Sequence, residues 1–423
     1  MSHIRKNAWP FNGERRDVKH VGFAQATIEH TKVDLDHQPR TNYATLQALR
    51  AFAAGLVVFY HTNQAIFGNP KYWLDRPFGD FLQFGRAGVE FFFVLSGFII
   101  YAAHRRDIGR SGQLAGFAWK RFRRVYPVYW LLLFAVVPIY FTVPSFGDGT
   151  AQDAGTVVDS VLLIHIFGTR EILTVSWTLF HEIAFYGVFA LLIVNRLFGG
   201  LVMGAWLVSS AVWAVMPSII PPGIATYLSP LNLLFGMGMG AAWVIGRMRP
   251  PLPWALTCAG TVLFLGAGAE EAWGDLLARG PLAILYGIGS SLIVVGAVEL
   301  ERAGKVRVPR ALVFLGNASY SVYLVHFVAL SMLAKAAVWA VGYVAIPHAL
   351  IFLFLVAGSV TAGVVYHVLV EIPLLRAMAR IKPLTGRKPV EAGDNVRRVR
   401  APRRATAFPV ARARRHAGTE DRQ

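Results

Sequence analysis

Cysteine is all but absent. Cys258 stands alone among 423 residues, so no intrachain disulfide holds the fold and the redox compartment leaves no trace in the sequence. Charge is scarce as well. Only 16% of residues are Asp, Glu, Lys or Arg, against about a quarter in soluble domains, which excludes an ordinary soluble globule. Acids are the scarcer sign, 24 against 42 Lys and Arg. No internal repeat and no heptad pattern is found. The first 45 residues contain no apolar core, so no cleavable signal is expected and the first span is expected to act as an uncleaved signal-anchor.

Long apolar runs are what the chain has instead. Hydrophobic residues make up 55% and aromatics 13%, with 11 Trp and 29 Phe, and mean hydropathy is +0.47. This composition predicts an all-α fold, a polytopic membrane bundle of about ten transmembrane helices. The predicted spans are Leu46–Phe67, Phe84–Ala103, Val125–Phe141, Leu173–Val194, Leu201–Met216, Tyr227–Gly246, Leu252–Gly268, Leu282–Leu300, Leu312–Met332 and Ile346–Val370. Threading them alternately gathers HRRDIGRSGQLAGFAWKRFRR, GRMRP, ERAGKVRVPR and both tails on one side. The acidic stretches Asp148–Asp159 and Glu270–Asp275, and the uncharged PSIIPPG turn, fall on the other. The positive-inside rule then makes both termini cytoplasmic. The net charge of +18 is accounted for by topology, and no nucleic-acid partner is expected. Three regions result: a polar cytoplasmic extension over 1–45, a membrane domain over 46–376, and a basic, disordered tail over 377–423 that touches anionic headgroups or reinforces topology. In the longest outer loop, VVDSVLLIHIFG reads as a short interfacial or re-entrant helix, or a loop cap, carrying Asp159 and His165.

Polar groups inside spans are where chemistry is to be sought. Arg50 and His61 lie eleven residues apart in the first span, roughly three helical turns, so they share a face about 16 Å apart. Rise per residue sorts the remainder into two tiers. Glu90, His61 and His326 fall about 9 Å below the outer face and Glu182 about 14 Å below it. Two imidazoles and two carboxylates from four helices are expected to meet there, an arrangement fit for proton transfer. The inner tier holds Arg50, Arg121, Arg123 and Arg124, with His367 and Glu371 where the last span exits; guanidiniums at such a mouth suit phosphates. Ser96, Ser319 and Tyr320 lie between the tiers, the serines read as helix-packing residues rather than nucleophiles. No metal-ligand spacing is read.

At these residues the chain resembles the acyltransferase type 3 family of integral membrane proteins, in order from about Leu46 to Arg376. The matching features are the Arg, ten residues, His pattern of Arg50 and His61; GVEFFFVLSGFII, with Glu90 where many members carry a different acid; and R-x-x-R-[IVL]-x-P through Arg121, Arg124 and Pro127. W-[ST]-L-x-x-E-x-x-F-Y follows through Trp177, Leu179, Glu182, Phe185 and Tyr186. GNASYSVYLVH and EIPLLR close the series through Ser319, Tyr320, His326, Glu371, Pro373 and Arg376. The resemblance implies a bacterial inner-membrane O-acyltransferase of ten spans. It would move an acyl group, commonly acetyl, from cytoplasmic acyl-CoA to a hydroxyl of a carbohydrate or lipid-linked glycan. It would need no bound cofactor and would lack the esterase-like extension some members carry.

The expected mechanism follows. Arg50, Arg121 and Arg124 hold the CoA phosphates, the pantetheine arm lies along the Arg50–His61 stripe, and His61 is general base, oriented or charge-supported by Glu182. Glu90, Ser96, Trp177, Tyr186, Ser319, Tyr320 and His326 stand as acceptor or supporting residues. A covalent acyl-histidine is also open. Two other classes compete: a proton-coupled exporter of a glycan intermediate, which would use the same buried ionisables, and a membrane sensor or scaffold, which would leave them unexplained.

Overall fold

The computed structural model describes residues 43–73, 75–143, 150–167, 170–216 and 226–381. Most of the predicted N-terminal extension, nearly all of the basic tail and the PSIIPPG turn lie outside them. The described residues are helical, with no strand among them.

Helix α1 (Ala44–Tyr60) runs into a π turn, His61–Phe67. A 3-10 segment, Phe81–Ala87, leads into α2 (Gly88–His104). Then come α3 (Leu114–Thr142), α4 (Ala154–Leu162), α5 (Trp177–Val194), α6 (Arg196–Val215) and α7 (Asn232–Arg247). The series closes with α8 (Pro253–Trp273), α9 (Arg279–Arg302), α10 (Arg310–Val341) and α11 (His348–Tyr366). A second π turn (His367–Glu371) joins α11 to α12 (Ile372–Ala379). Seven helical runs among the described residues are long and apolar enough to cross a membrane. The three further predicted spans correspond to α1, α7 and α8; α1 and α7 are shorter, at 17 and 16 residues.

Two boundaries differ from the sequence reading in a way that matters. The third span was expected to begin at Val125, yet α3 starts eleven residues earlier and carries Lys120, Arg121, Arg123 and Arg124 within it. Lys and Arg are good helix formers, and Pro127 and Pro138 are absorbed inside the helix. The fourth span, α5, begins at Trp177 rather than Leu173. In the loop expected on the outer side, α4 is capped by Asp153, whose carboxylate accepts from Thr156 N and Oγ1. Asp159 ties down the chain beyond it, accepting from the N–H groups of Ile166 and Phe167. His165 stacks on Phe180 at 4.0 Å. Both residues hold a loop in place.

Apolar side chains face outward as well as inward. Leu201 and Val262 are 75% and 73% exposed, the sort of surface that lipid covers. Inside, phenylalanines interlock; Phe185 stacks on Phe235 at 4.4 Å. In a bilayer such packing, rather than exclusion of water, holds helices together.

Two contacts set α1 against the rest. Glu301, at the end of α9, caps its first turn: its carboxylate accepts from Ala44 N (2.8 Å), Thr45 N (2.7 Å) and Thr45 Oγ1 (2.6 Å), satisfying donors that a helix start leaves orphaned. Farther on, α1 presses against α10 at Gly316, where an added Cβ would lie 2.0 Å from the carbonyl oxygen of Gln47. Since backbone is the obstacle, Gly316→Leu is expected to cost about 1–3 kcal/mol and to move α1 away from α10. Thermal unfolding in detergent, read beside the wild type, checks this; an unchanged midpoint contradicts it.

Candidate active site

A cavity of about 420 Å³ opens between α1, α2, α3, α5, α10 and α12. Its mouth is basic. Lys120 and Ala379, both exposed, stand at the rim with Arg121 and Arg123. The cavity follows α2 from Ile100 down to buried Val89, eleven residues or about 16 Å of helix. Its floor is formed by Val89, Phe92, Thr178 and Tyr323, with the Tyr323 hydroxyl bound to Thr178 Oγ1 (2.8 Å) and the Val175 carbonyl (3.1 Å).

The guanidiniums are not equivalent. Arg124 forms an ion pair with buried Glu371, which also accepts from Ser321 Oγ (2.7 Å) and His367 Nδ1 (2.7 Å). Its charge is already compensated. Arg121 lies within cation–π range of the Phe117 and Tyr186 rings, at 5.9 and 5.8 Å, and its Nε is buried without a hydrogen-bond partner. Deeper in, Arg50 donates from Nε to Ser319 Oγ at 3.2 Å. A ligand anion would therefore meet Arg121, Lys120 and Arg123 first and Arg50 last.

Glu182 sits on the cavity wall. Its Oε1 accepts from Ser96 Oγ (3.1 Å) and from the Tyr186 hydroxyl, one turn along α5. Tyr320, beside it, donates to the Val125 carbonyl at 2.9 Å, and its ring lies 5.2 Å from the Arg124 guanidinium.

The histidines form a separate pair. His61 opens the π turn, a geometry common at functional positions, and its Nδ1 lies 3.0 Å from His326 Nε2. Arg50 and His61 thus both touch α10, at Ser319 and His326; the shared face read from spacing is present. The expected meeting of two imidazoles with two carboxylates is not. Glu182 bonds to Ser96 and Tyr186 rather than to His61. Glu90, 1% exposed, pairs instead with Arg86 at 3.3 Å, and Arg86 in turn reaches Glu271. Depth counted along each span ignored direction around the helix. Trp177 is outside the cavity lining, its ring 5.8 Å from His181.

Residues 43–368 match the family described as an acyltransferase domain. The chain belongs to this acyltransferase family. Among its relatives, the exopolysaccharide production protein ExoZ of Rhizobium meliloti is 33% identical over 70% of this chain and 92% of its own length. The peptidoglycan O-acetyltransferase OatA of Listeria monocytogenes is 27% identical, over 67% of this chain but only 48% of OatA. The acyltransferase MdmB of Streptomyces mycarofaciens is 25% identical over 80% and 93%. No solved structure matches. With its apolar helices, this acyltransferase is a multi-pass membrane protein.

The acyltransferase cavity also contains residues to which the sequence reading gave no role, although Thr178 fills the [ST] position of the W-[ST]-L motif. Thr178 and Tyr323 close its floor and Lys120 lines its mouth. Tyr323 was within reach of a periodicity argument, lying one turn from Ser319 on the same helical face and three residues before His326.

Proposed function

We propose that this acyltransferase moves an acyl group, most simply acetyl, from acyl-CoA to a hydroxyl of a glycan or lipid-linked glycan, with His61 as general base. The observation that carries this reading is the deep cavity, basic at its mouth and about as long as a pantetheine arm. Lys120, Arg121 and Arg123 would hold the nucleotide phosphates, whose geometry a guanidinium matches with paired hydrogen bonds. The arm would pass Arg50 and the Ser96–Glu182–Tyr186 group and bring the thioester to the floor at Thr178 and Tyr323.

Beyond that floor the rings follow in series: Tyr323 lies 5.8 Å from His326, and His326 lies 5.0 Å from His61. In this reading Tyr323 swings aside, releasing Thr178 and Val175, and admits the thioester to the acceptor. His61 takes the hydroxyl proton as the oxygen attacks the thioester carbonyl, and the imidazolium then returns a proton to the departing CoA thiolate. The donor is already activated, so proximity and proton removal suffice. The positive-inside rule supports a cytoplasmic mouth and cytoplasmic termini, apolar runs support a ten-span bundle, and residence in a bacterial inner membrane is what the family resemblance implies.

Purified protein in detergent, given radiolabelled acetyl-CoA and candidate oligosaccharides, is expected to release CoA and label the glycan. Glycan flux across a proteoliposome without CoA turnover would support the exporter reading instead. That reading has lost its best support, since the outer carboxylates and histidines do not form one relay.

A further inference from the structure

Both imidazoles of the histidine pair are fixed by carbonyls of their own helices. His326 Nδ1 lies 2.6 Å from the Tyr323 carbonyl oxygen and 3.2 Å from that of Val322. A carbonyl only accepts, so this nitrogen carries a proton. The neutral ring then has an unprotonated Nε2, and that atom faces His61 Nδ1 at 3.0 Å. His61 Nδ1 is also 3.1 Å from the Val57 carbonyl oxygen. Two acceptors surround it, and it too must carry the proton. His61 Nε2 is left as the basic nitrogen.

From this geometry we infer that His326 is a positioning residue: it holds His61 in the Nδ1–H tautomer so that Nε2 is the atom that takes the acceptor proton. The inference rests on His61 being the base, as proposed above. It gives His326 the place that a carboxylate holds in many hydrolytic triads. When His61 Nε2 gains a proton, the Nδ1–H···Nε2 hydrogen bond becomes charge-assisted and strengthens, which stabilises the imidazolium at the step where it forms. His326 is fully buried and already oriented by the Tyr323 carbonyl, so the pair needs no rearrangement to act. The same Tyr323 closes the cavity floor, linking donor site and base through one residue of α10.

The test is to label the histidines of the full-length protein with nitrogen-15 and assign His61 by its loss in His61→Gln. Its nitrogen shifts are expected to report Nδ1–H in the wild type and a change toward Nε2–H in His326→Ala. Kinetically, His326→Ala should lower kcat by about 10²-fold with little change in KM for acetyl-CoA. His326→Gln, whose amide oxygen can accept from His61 Nδ1–H, should restore the tautomer and recover most of the rate. Equal losses in the Ala and Gln variants with an unaltered His61 tautomer would overturn the positioning role, as would a wild-type His61 protonated on Nε2. A fully active His61→Ala enzyme would overturn the underlying assignment of the base instead.

Discussion

Acyl transfer by His61→Ala is expected to fall by about 10³-fold or more, while acetyl-CoA binding stays within about twofold of wild type. The separation follows from the structure: His61 does not line the donor cavity, whose basic groups lie on α1 and α3 nearer its mouth. Truncation leaves His326 Nε2 without a donor, but His326 retains its carbonyl partner at Tyr323, so the fold should survive. Single-turnover mixing with labelled acetyl-CoA separates binding from chemistry, and isothermal titration gives the donor affinity on its own. Full activity in a folded His61→Ala protein, or a collapse of donor affinity together with activity, would each be incompatible with His61 acting as base beyond the cavity floor.

How much of this was legible in the sequence depends on which coordinate a given argument used. Hydropathy runs locate helices well, because an apolar stretch must satisfy its backbone internally whatever surrounds it. Charges at helix ends mislead by about three turns on α3: the KRFRR segment looks like a loop flank and is helix. Spacing within one helix was informative, and Arg50 and His61 do share the face turned to α10. Spacing between helices was not. Depth alone put Glu182 and Glu90 beside the histidines, although one reaches Ser96 and Tyr186 and the other Arg86. Direction around a helix is fixed by packing partners, and these are set by features to which spacing assigned no role. Gly316 lets α10 approach α1, and Glu301 anchors the start of α1 from a distant part of the chain. The π turn at His61 changes the angular step where an α-helical count assumed none.

The two family arginines on α3 are expected to fail in different ways when replaced by alanine. Arg124 is paired with Glu371, a carboxylate 1% exposed; removing the guanidinium strands a buried charge. Breaking such a pair is expected to destabilise the bundle by on the order of 3 kcal/mol, the lower end for buried pairs, since Ser321 and His367 remain on the carboxylate and Arg124 is itself partly open to the cavity. Glu371→Gln combined with Arg124→Ala should recover much of that loss by removing the stranded charge. Arg121 has no carboxylate to abandon: it rests on Phe117 and Tyr186 with an unpartnered Nε. Arg121→Ala should therefore leave the unfolding midpoint near wild type and weaken acetyl-CoA binding by about tenfold, the loss expected when one charge-assisted contact to a phosphate is removed. Raising salt should weaken wild-type binding more steeply than that of the variant, because one screened charge pair is already gone. If Arg124→Ala lowered donor affinity without touching stability while Arg121→Ala did neither, the division of labour along α3 would be reversed, and the phosphates would sit on the Glu371 side of the cavity.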